Sequence, residues 1–495
     1  MVGSPEPMAT AGGRRLPPLR FGLKLGYATG AVLDGIGAQA VGIFLFFYVT
    51  AVCGVPPALA GVALAAGLVV DALVDPLIGS LSDACRSPLG RRLPFMLAGV
   101  PGTMLFLTLI FALPSGLGAF PLFAWLTFLS IGLRVSMSLF LLPFNAVGAE
   151  LSDDYAERSS IAAWRWGFAM IGALVAILMG FGVFMGGEGG LSRRASYLPF
   201  ALTVAVVAGI GGLVAMRALM KTRERQHPAP VSTGSVHSRL FSEMGEVFRN
   251  QSFRTLFGGA LLLFTSLSIH ATLGLHANNY FWRMTPGEIQ TVTLALFAGL
   301  LLGAPLAGPV LKRVEKRNVL LIGMVGLALA FSVPATLRLL GVFPYTGATL
   351  AAILSAAVLA GGMLMAMAAI AFASMMADAA DEHEHLFGAR REGLYFAGWS
   401  FASKAATGFG ALASGVALQV IGFPSGATPE AVKALPPHTA DLIGLAYGPG
   451  ASLIAIAAAV MCFGYKLDAR KHAGIRAELD ARHAADLGTG IVVAG

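Results

Sequence analysis

The sequence predicts an all-α membrane protein in which about twelve transmembrane helices form two six-helix, pseudo-symmetric halves. Composition is the first reason, since 56% of the residues are hydrophobic and 12% are charged, whereas soluble domains carry about 25% charged residues. The second reason is that apolar segments near bilayer-spanning length recur along the chain. The third is that a polar stretch divides these segments into two sets of six. The lipid bilayer is therefore a required partner of this chain.

The predicted spans fall into two sets. The first covers 22–50, 58–82, 94–113, 119–147, 158–186 and 197–217. The second covers 254–282, 288–311, 318–340, 347–376, 392–422 and 442–466. The remaining predicted units are an N-terminal tail over 1–21, an N-terminal half over 22–217, a linker over 218–253, a C-terminal half over 254–466 and a C-terminal tail over 467–495. We expect both tails and the linker on the cytoplasmic side.

The distribution of Lys and Arg gives this orientation. The loop after the second span carries three Arg and the loop after the eighth carries four basic residues, whereas AVCGVPPA and LPSGLGAF carry none. Basic loops remain in the cytoplasm. We therefore expect both termini inside, in a bacterial-type inner membrane. The net charge of +8 arises mainly in these loops, so it does not indicate nucleic-acid binding.

Several classes of chemistry lack their sequence signatures. Three scattered Cys indicate neither a disulfide framework nor a zinc site. HExxH, GxSxG and nucleotide-binding loops are absent from the sequence. We therefore expect no enzyme activity, no metal site and no cofactor, and we expect a monomer. A membrane sensor or a membrane-embedded enzyme stays as the alternative from another class.

Two carboxylates inside the second span are the strongest functional signal. Asp71 and Asp75 are four residues apart in an apolar run, and that spacing puts both on one face of a helix. Charged groups in lipid are costly, so this pair requires a cation, a proton or a basic partner. A structural pairing with Arg or Lys is the alternative. The segment predicts a site for a coupling cation.

The two halves repeat each other in three places. PLIG ends the second span and PLAG ends the eighth, each before a basic loop. DDYAERSS precedes the fifth span as DEHEHLFGARREG precedes the eleventh, and each following helix is expected to hold one buried base, Arg165 or Lys404. Parallel repeats of this kind are typical of transporters with a site between the halves.

The stretches DALVDPLIGSLSDACRSPLGRR, LPFNAVGAELSDDYAERSSIAAWRWGFAMIG and MMADAADEHEHLFGARREGLYFAGWSFASKAATGFG carry a resemblance to a known family. From Leu23 to Lys466 the chain resembles the glycoside–pentoside–hexuronide:cation symporters of the major facilitator superfamily. The resemblance implies a cation site at Asp71 and Asp75, helped by Ser138 and balanced by Lys404. It also implies a sugar site at Asp34 and Arg165.

The chain departs from the family pattern at several positions. A second sugar-binding Asp of the fourth span is Leu141 here, and the aromatic platform after it is Asn145. Arg134 lies seven residues before Leu141, on roughly the same helix face. Arg134 either pairs with Asp34 or binds an anionic solute. Trp399 is an aromatic candidate for stacking on the solute, with packing as its alternative.

The coupling ion and the solute remain open at this point. Val74, just before the second Asp, supplies no oxygen ligand, which favours a proton over sodium. We expect a symporter of a sugar, glycoside or uronide, and a transporter of a lysophospholipid or other amphiphile is the alternative. Salt bridges are expected to close the cytoplasmic side. The residues predicted for them are Asp83, Arg91, Asp154, Arg158, Asp381 and Arg391.

Overall fold

The computed structural model describes residues 19–152, 154–187, 189–222, 245–389, 391–424 and 435–488. Within these residues, twelve helices are long and apolar enough to cross a membrane. They are α1 Phe21–Leu45, α2 Pro57–Ala84, α3 Leu93–Ile110, α4 Ala119–Glu150, α5 Ala156–Phe184, α6 Arg194–Met220, α7 Gln251–Phe281, α8 Pro286–Leu311, α9 Lys316–Leu339, α10 Gly347–Phe387, α11 Glu392–Ile421 and α12 Pro437–Phe463. The predicted fold class is confirmed.

Helix ends follow local sequence rules. α8 begins with a capping box in which Thr285 and Glu288 bond each other's backbone N–H groups, and Pro286 occupies the first turn. α10 and α11 each end at a glycine in the left-handed region, Gly388 with φ 77° and Gly422 with φ 78°. Only glycine adopts this conformation without strain.

Helix packing divides the bundle into two halves. In the first, α3 packs on α4, α2 on α4 and α1 on α5; in the second, α8 and α9 pack on α10, and α7 packs on α11 and α12. Between the halves, α2 packs along α11, α1 contacts α7, and α5 contacts α8. We call the end at which α3 and α9 begin the basic end and the opposite end the neutral end.

The halves are joined most closely at the neutral end. One cluster of buried apolar side chains runs from Phe44 and Tyr48 of the first half to Leu273 and Phe281 of the second. Thr50 Oγ1 lies 2.9 Å from His276 Nε2 across the boundary. A Cβ on Gly61 would lie 2.8 Å from the Ala411 carbonyl oxygen, so the small residue permits close contact between α2 and α11.

Two segments outside the predicted spans are helical, the DEHEH tract after the tenth span and part of the C-terminal tail. α10 continues through this tract to Phe387, because no helix-breaking residue occurs before Gly388. Residues Ala469–Gly488 form a further helix, α13, beside the end of α10. Residues 223–244 of the predicted linker, and the tail ends at 1–18 and 489–495, lie outside the described residues.

Candidate functional site

The two carboxylates of α2 each contact a base from another helix. Arg134 of α4 donates from Nη1 to Asp71 Oδ2 at 2.6 Å. Lys404 of α11 donates from Nζ to Asp75 Oδ2. Two acids and two bases thus give a locally neutral cluster, which lowers the penalty for burying each charge. The first pair lies within one half, and the second joins the two halves.

Asp71 and Asp75 have different surroundings. The Asp71 side chain is 9% exposed and that of Asp75 is 16% exposed, whereas their bases Arg134 and Lys404 are 24% and 42% exposed. The second carboxylate oxygen of Asp75, Oδ1, is buried and has no hydrogen-bond partner among the described residues. An orphaned buried acceptor is costly. Asp75 therefore offers a free ligand oxygen to the cluster, beside a base whose side chain is partly exposed.

Gly67 makes room for the first pair. It precedes Asp71 by one helical turn, and a Cβ there would collide with Cδ and Nε of Arg134. The Arg134 side chain therefore crosses α2 where the helix has no side chain. The role of this glycine could not be read from the sequence, because the approach of α4 is a tertiary feature.

Ser138 lies one turn after Arg134 on α4 and is half-buried. Its spacing places it on the Arg134 face of that helix. Its part in holding the ion stays a prediction.

Three residues predicted for the sugar site gather in the first half. Asp34, Asn145 and Arg165 line a pocket of about 430 Å³ together with Trp166 and Leu141. Arg165 Nη1 donates to Asn145 Oδ1 at 2.9 Å. The pocket thus presents a carboxylate, an amide and a guanidinium, groups that bond sugar hydroxyls in both directions.

Arg134 and Trp399 lie apart from this pocket. The alternative in which Arg134 pairs with Asp34 is wrong for this structure, because the α4 face carrying Arg134 meets Asp71 instead. Trp399 of α11 packs on Phe372, with ring centroids 5.4 Å apart, and lines a small apolar pocket of the second half. This position agrees with the alternative in which Trp399 packs between helices, because the α11 face that carries Trp399 faces α10.

Three of the predicted cytoplasmic residues pair within their own half. Asp83 accepts from Arg92 at 2.9 Å, and Arg91 pairs with Glu150, which Arg92 also contacts at 2.8 Å. Asp154 caps α5 by accepting from the Glu157 backbone N–H at 2.7 Å. These acids and bases thus fasten neighbouring helices of the first half. Glu150 was not predicted, although it stands in the NAVGAELSD stretch.

Asp381 belongs to a cluster between α10 and α13. It lies 3.1 Å from His472 Nε2 and 3.6 Å from Arg476 Nη1. Nearby, burial and the carboxylates of Asp378 and Glu382 raise the pKa of the Tyr465 phenol, so it stays protonated.

Arg158 lies in the first turns of α5, and Arg391 directly precedes α11. Closure of the basic end by these residues stays a prediction.

A second cavity, of about 300 Å³, lies at the boundary between the halves, nearer the neutral end. Gln39, Ile43 and Phe181 line it from the first half, and the second half supplies the rest of a largely apolar wall. The sequence did not indicate this cavity, because its walls come from seven helices.

Comparison with known proteins identifies the family. Residues 26–469 match the profile of the family described as MFS/sugar transport protein. The chain belongs to this family. The resemblance to glycoside–pentoside–hexuronide:cation symporters is confirmed, and the MFS protein is a multi-pass membrane transporter and not an enzyme.

The relatives of this MFS transporter include the inner membrane symporter YicJ of Escherichia coli (24% identical, covering 78% of this chain and 80% of the relative). The glucuronide carrier protein homolog of the same organism is 25% identical over 78% of this chain and 80% of the relative. An uncharacterized symporter of Synechocystis, sll1374, is 34% identical, but the alignment covers 32% of this chain and 30% of that relative.

Solved structures agree with the MFS fold. The D-xylose-proton symporter matches with a TM-score of 0.63 at 12% identity, covering 90% of this chain and 98% of that one. The nucleoside transporter NupG matches with a TM-score of 0.58 at 14% identity, covering 90% and 99%. Identities this low show the shared fold alone.

Proposed function

We propose that this MFS protein is a cation-coupled symporter of a glycoside or uronide that works by alternating access. The ion pair between Asp75 and Lys404 carries this proposal, because it joins the two halves through the predicted cation site. Transporters of parallel-repeat architecture rock one half against the other around a central site. A charge contact across that boundary ties the rocking motion to the protonation or ion occupancy of Asp75.

The coupling step is an exchange of partners at Asp75. A cation bound at this carboxylate neutralises the charge that holds Lys404, and the Lys404 side chain, which is 42% exposed, then moves away from Asp75. The contact between α2 and α11 weakens as a result. Release of the cation restores the pair. Arg134 keeps Asp71 neutralised throughout, so the cluster never has two unpaired carboxylates.

A proton is the proposed coupling ion. Each of Asp71 and Asp75 already accepts from a base, and Asp75 Oδ1 is buried without a hydrogen-bond partner in the part of the chain that the structure describes. One free oxygen suffices for a proton, whereas hard metal cations take several oxygen ligands. Val74 adds none. Sodium remains the competing ion, with Ser138 as its added ligand.

The proposed solute site is the pocket of Asp34, Asn145 and Arg165. Asp34 accepts hydrogen bonds from sugar hydroxyls, while Asn145 and Arg165 donate them. The guanidinium of Arg165 also suits the carboxylate of a uronide. The name of the glucuronide carrier homolog agrees with this solute class. Arg134, bonded to Asp71, is not assigned to the solute in this state.

The basic end is proposed to face the cytoplasm, which puts both termini inside an inner membrane. The neutral-end contacts would then close the outer side, and the protein acts as a monomer. Asp83, Arg91, Asp154, Arg158, Asp381 and Arg391 are proposed to approach the opposite half when the basic end closes.

An amphiphile, such as a lysophospholipid, is the second candidate solute. The apolar cavity near the neutral end favours an amphiphile, because a sugar alone has no apolar part to contact the cavity wall.

Uptake by proteoliposomes tests the proposal. Purified protein is reconstituted, and radiolabelled methyl glucuronide, methyl glucoside or lysophosphatidylcholine is offered under an imposed proton gradient or an imposed sodium gradient. We expect accumulation of the glucuronide or glucoside driven by protons and lost in Asp75→Asn. Accumulation of lysophosphatidylcholine alone would establish the second candidate. Accumulation driven only by sodium would refute the proton as the coupling ion but would leave the proposed cation site unchanged.

A further inference from the structure

A cavity at the basic end serves none of the roles described above. It measures about 540 Å³ and lies where the loop between α8 and α9, the residues that follow α12 and the first turns of α13 meet. The acids that line it are Glu315, Asp378 and Asp468. The bases that line it outnumber these acids and are Lys312, Arg313, Lys316, Arg317 and Lys466. The cavity wall therefore carries a net positive charge.

Two of the three acids are already engaged. Asp378 Oδ2 accepts from Lys316 Nζ at 2.5 Å, and Asp378 Oδ1 lies 3.7 Å from His472 Nε2. Asp468 Oδ1 accepts from the Lys471 backbone N–H at 2.8 Å and so caps the start of α13. The third acid, Glu315, is exposed at the start of α9.

Three bases of the wall keep their charge available. The side chains of Lys312, Arg313 and Lys466 are exposed, and none of them forms a salt bridge or hydrogen bond with another described residue. They come from two places in the chain, the α8–α9 loop and the segment after α12. An anion in the cavity would therefore meet bases from two sides without displacing an existing ion pair.

The cavity adjoins an apolar strip on the outer surface of α12. The strip consists of exposed side chains at helical spacing, with exposed fractions from 37% to 69%, namely Leu453, Ile456, Val460 and Phe463. The guanidinium of Arg317, which lines the cavity, lies over the Phe463 ring at 5.2 Å from its centroid. Lys466 follows Phe463 by three residues. The strip thus leads along the span directly to the basic wall.

We infer that this cavity binds the phosphate headgroup of an anionic phospholipid, whose acyl chains lie along the α12 strip. Arg and Lys are the side chains that bind phosphate, and basic pockets at the ends of transmembrane helices hold anionic headgroups. A soluble phosphate has the same charge, but it has no apolar part to contact the α12 strip. This site goes beyond the proposed transport function and does not depend on which solute or ion is carried.

The test compares dioleoyl phosphatidylglycerol with dioleoyl phosphatidylcholine, which has the same acyl chains but no net charge. Full-length protein is delipidated in an uncharged detergent and titrated with each lipid, and bound lipid is counted by native mass spectrometry. We expect the Kd for phosphatidylglycerol to be at least about tenfold lower, because each base near an anionic headgroup contributes about fivefold. High salt, in a parallel titration by fluorescence, should remove most of this preference.

Two triple variants locate the binding site. The first removes the bases of the cavity wall that have no described partner, through Lys312→Ala, Arg313→Ala and Lys466→Ala. It should lower the affinity for phosphatidylglycerol to that for phosphatidylcholine. The control removes three exposed bases of the same end that do not line the cavity, through Arg217→Ala, Lys221→Ala and Arg470→Ala. It should keep the preference, although it changes the net charge by the same amount.

Three results would overturn the inference. Equal affinity of the wild type for the two lipids would show that the cavity does not select an anionic headgroup. An equal loss of preference in both triple variants would show that net charge decides binding. If soluble glycerol 1-phosphate bound the wild type as tightly as phosphatidylglycerol, the cavity would be a site for soluble phosphates and not for a lipid.

Discussion

Asp75 on α2 and Lys404 on α11 form an ion pair across the boundary between the two halves of the bundle. Elsewhere the described contacts between halves are mostly apolar and lie towards the neutral end. The pair is therefore the point at which a change of charge acts directly on the association of the halves. Asp75 belongs to the predicted cation site on α2, and Lys404 is the predicted balancing base on α11.

Asp75→Asn should uncouple transport without abolishing it. The amide keeps the shape of the carboxylate but removes its charge, so downhill exchange of solute should persist while uphill accumulation fails. Exchange and accumulation in vesicles under a proton gradient measure the two separately. Asp71→Asn is the parallel variant, and full accumulation in both would show that α2 does not carry the coupling ion.

Arg134→Met should destabilise the protein more than the double variant Arg134→Met with Asp71→Asn. The single change leaves the buried carboxylate of Asp71 without its base, which costs about 3 kcal/mol, whereas the double change removes both charges. Unfolding of the purified protein in detergent measures the difference. Equal losses of stability would indicate that Asp71 finds another partner.

Gly67→Ala should reproduce part of the Arg134 defect. The added Cβ occupies the path of the Arg134 side chain, so the bond to Asp71 weakens or α2 and α4 separate. We expect a loss of about 1–3 kcal/mol in unfolding free energy. Gly79→Ala on the same helix is the control, because a Cβ there meets open space. A similar effect of both variants would mean that helix propensity decides the result.

Gly415→Ala should slow transport by at least about tenfold. The added Cβ would press on Pro57 and Gly61 of α2, so the halves could no longer close at the neutral end. Downhill exchange in vesicles measures the rate. Gly393→Ala is the matched control on α11, since its Cβ has open space. Normal exchange in Gly415→Ala would show that this contact is not made during the cycle.

A reporter fused at the C-terminus should behave as cytoplasmic. The basic end then faces the cytoplasm, as the distribution of Lys and Arg predicts. Alkaline phosphatase, active only outside, and green fluorescent protein, fluorescent only inside, give opposite readouts. Phosphatase activity of the fusion would show that every helix has the orientation opposite to the predicted one.

The sequence by itself determined the class of this protein, its twelve spans and the two acids on one face of α2. These properties depend on composition and helical spacing, which are local. It also indicated Asp34 and Arg165 as candidates for a sugar site, through a family resemblance, and the structure brings both to one pocket together with Asn145.

Only the tertiary structure decided which charges meet. From the sequence, Arg134 could pair with Asp34 or bind the solute. In the structure α4 approaches α2, and Arg134 pairs with Asp71 instead. The cavity between Gln39 and His270 likewise exists only because seven helices from both halves enclose it. Spacing along one helix fixes which residues share a face, but the rotation of that face towards a neighbour is set by packing between helices distant in the chain.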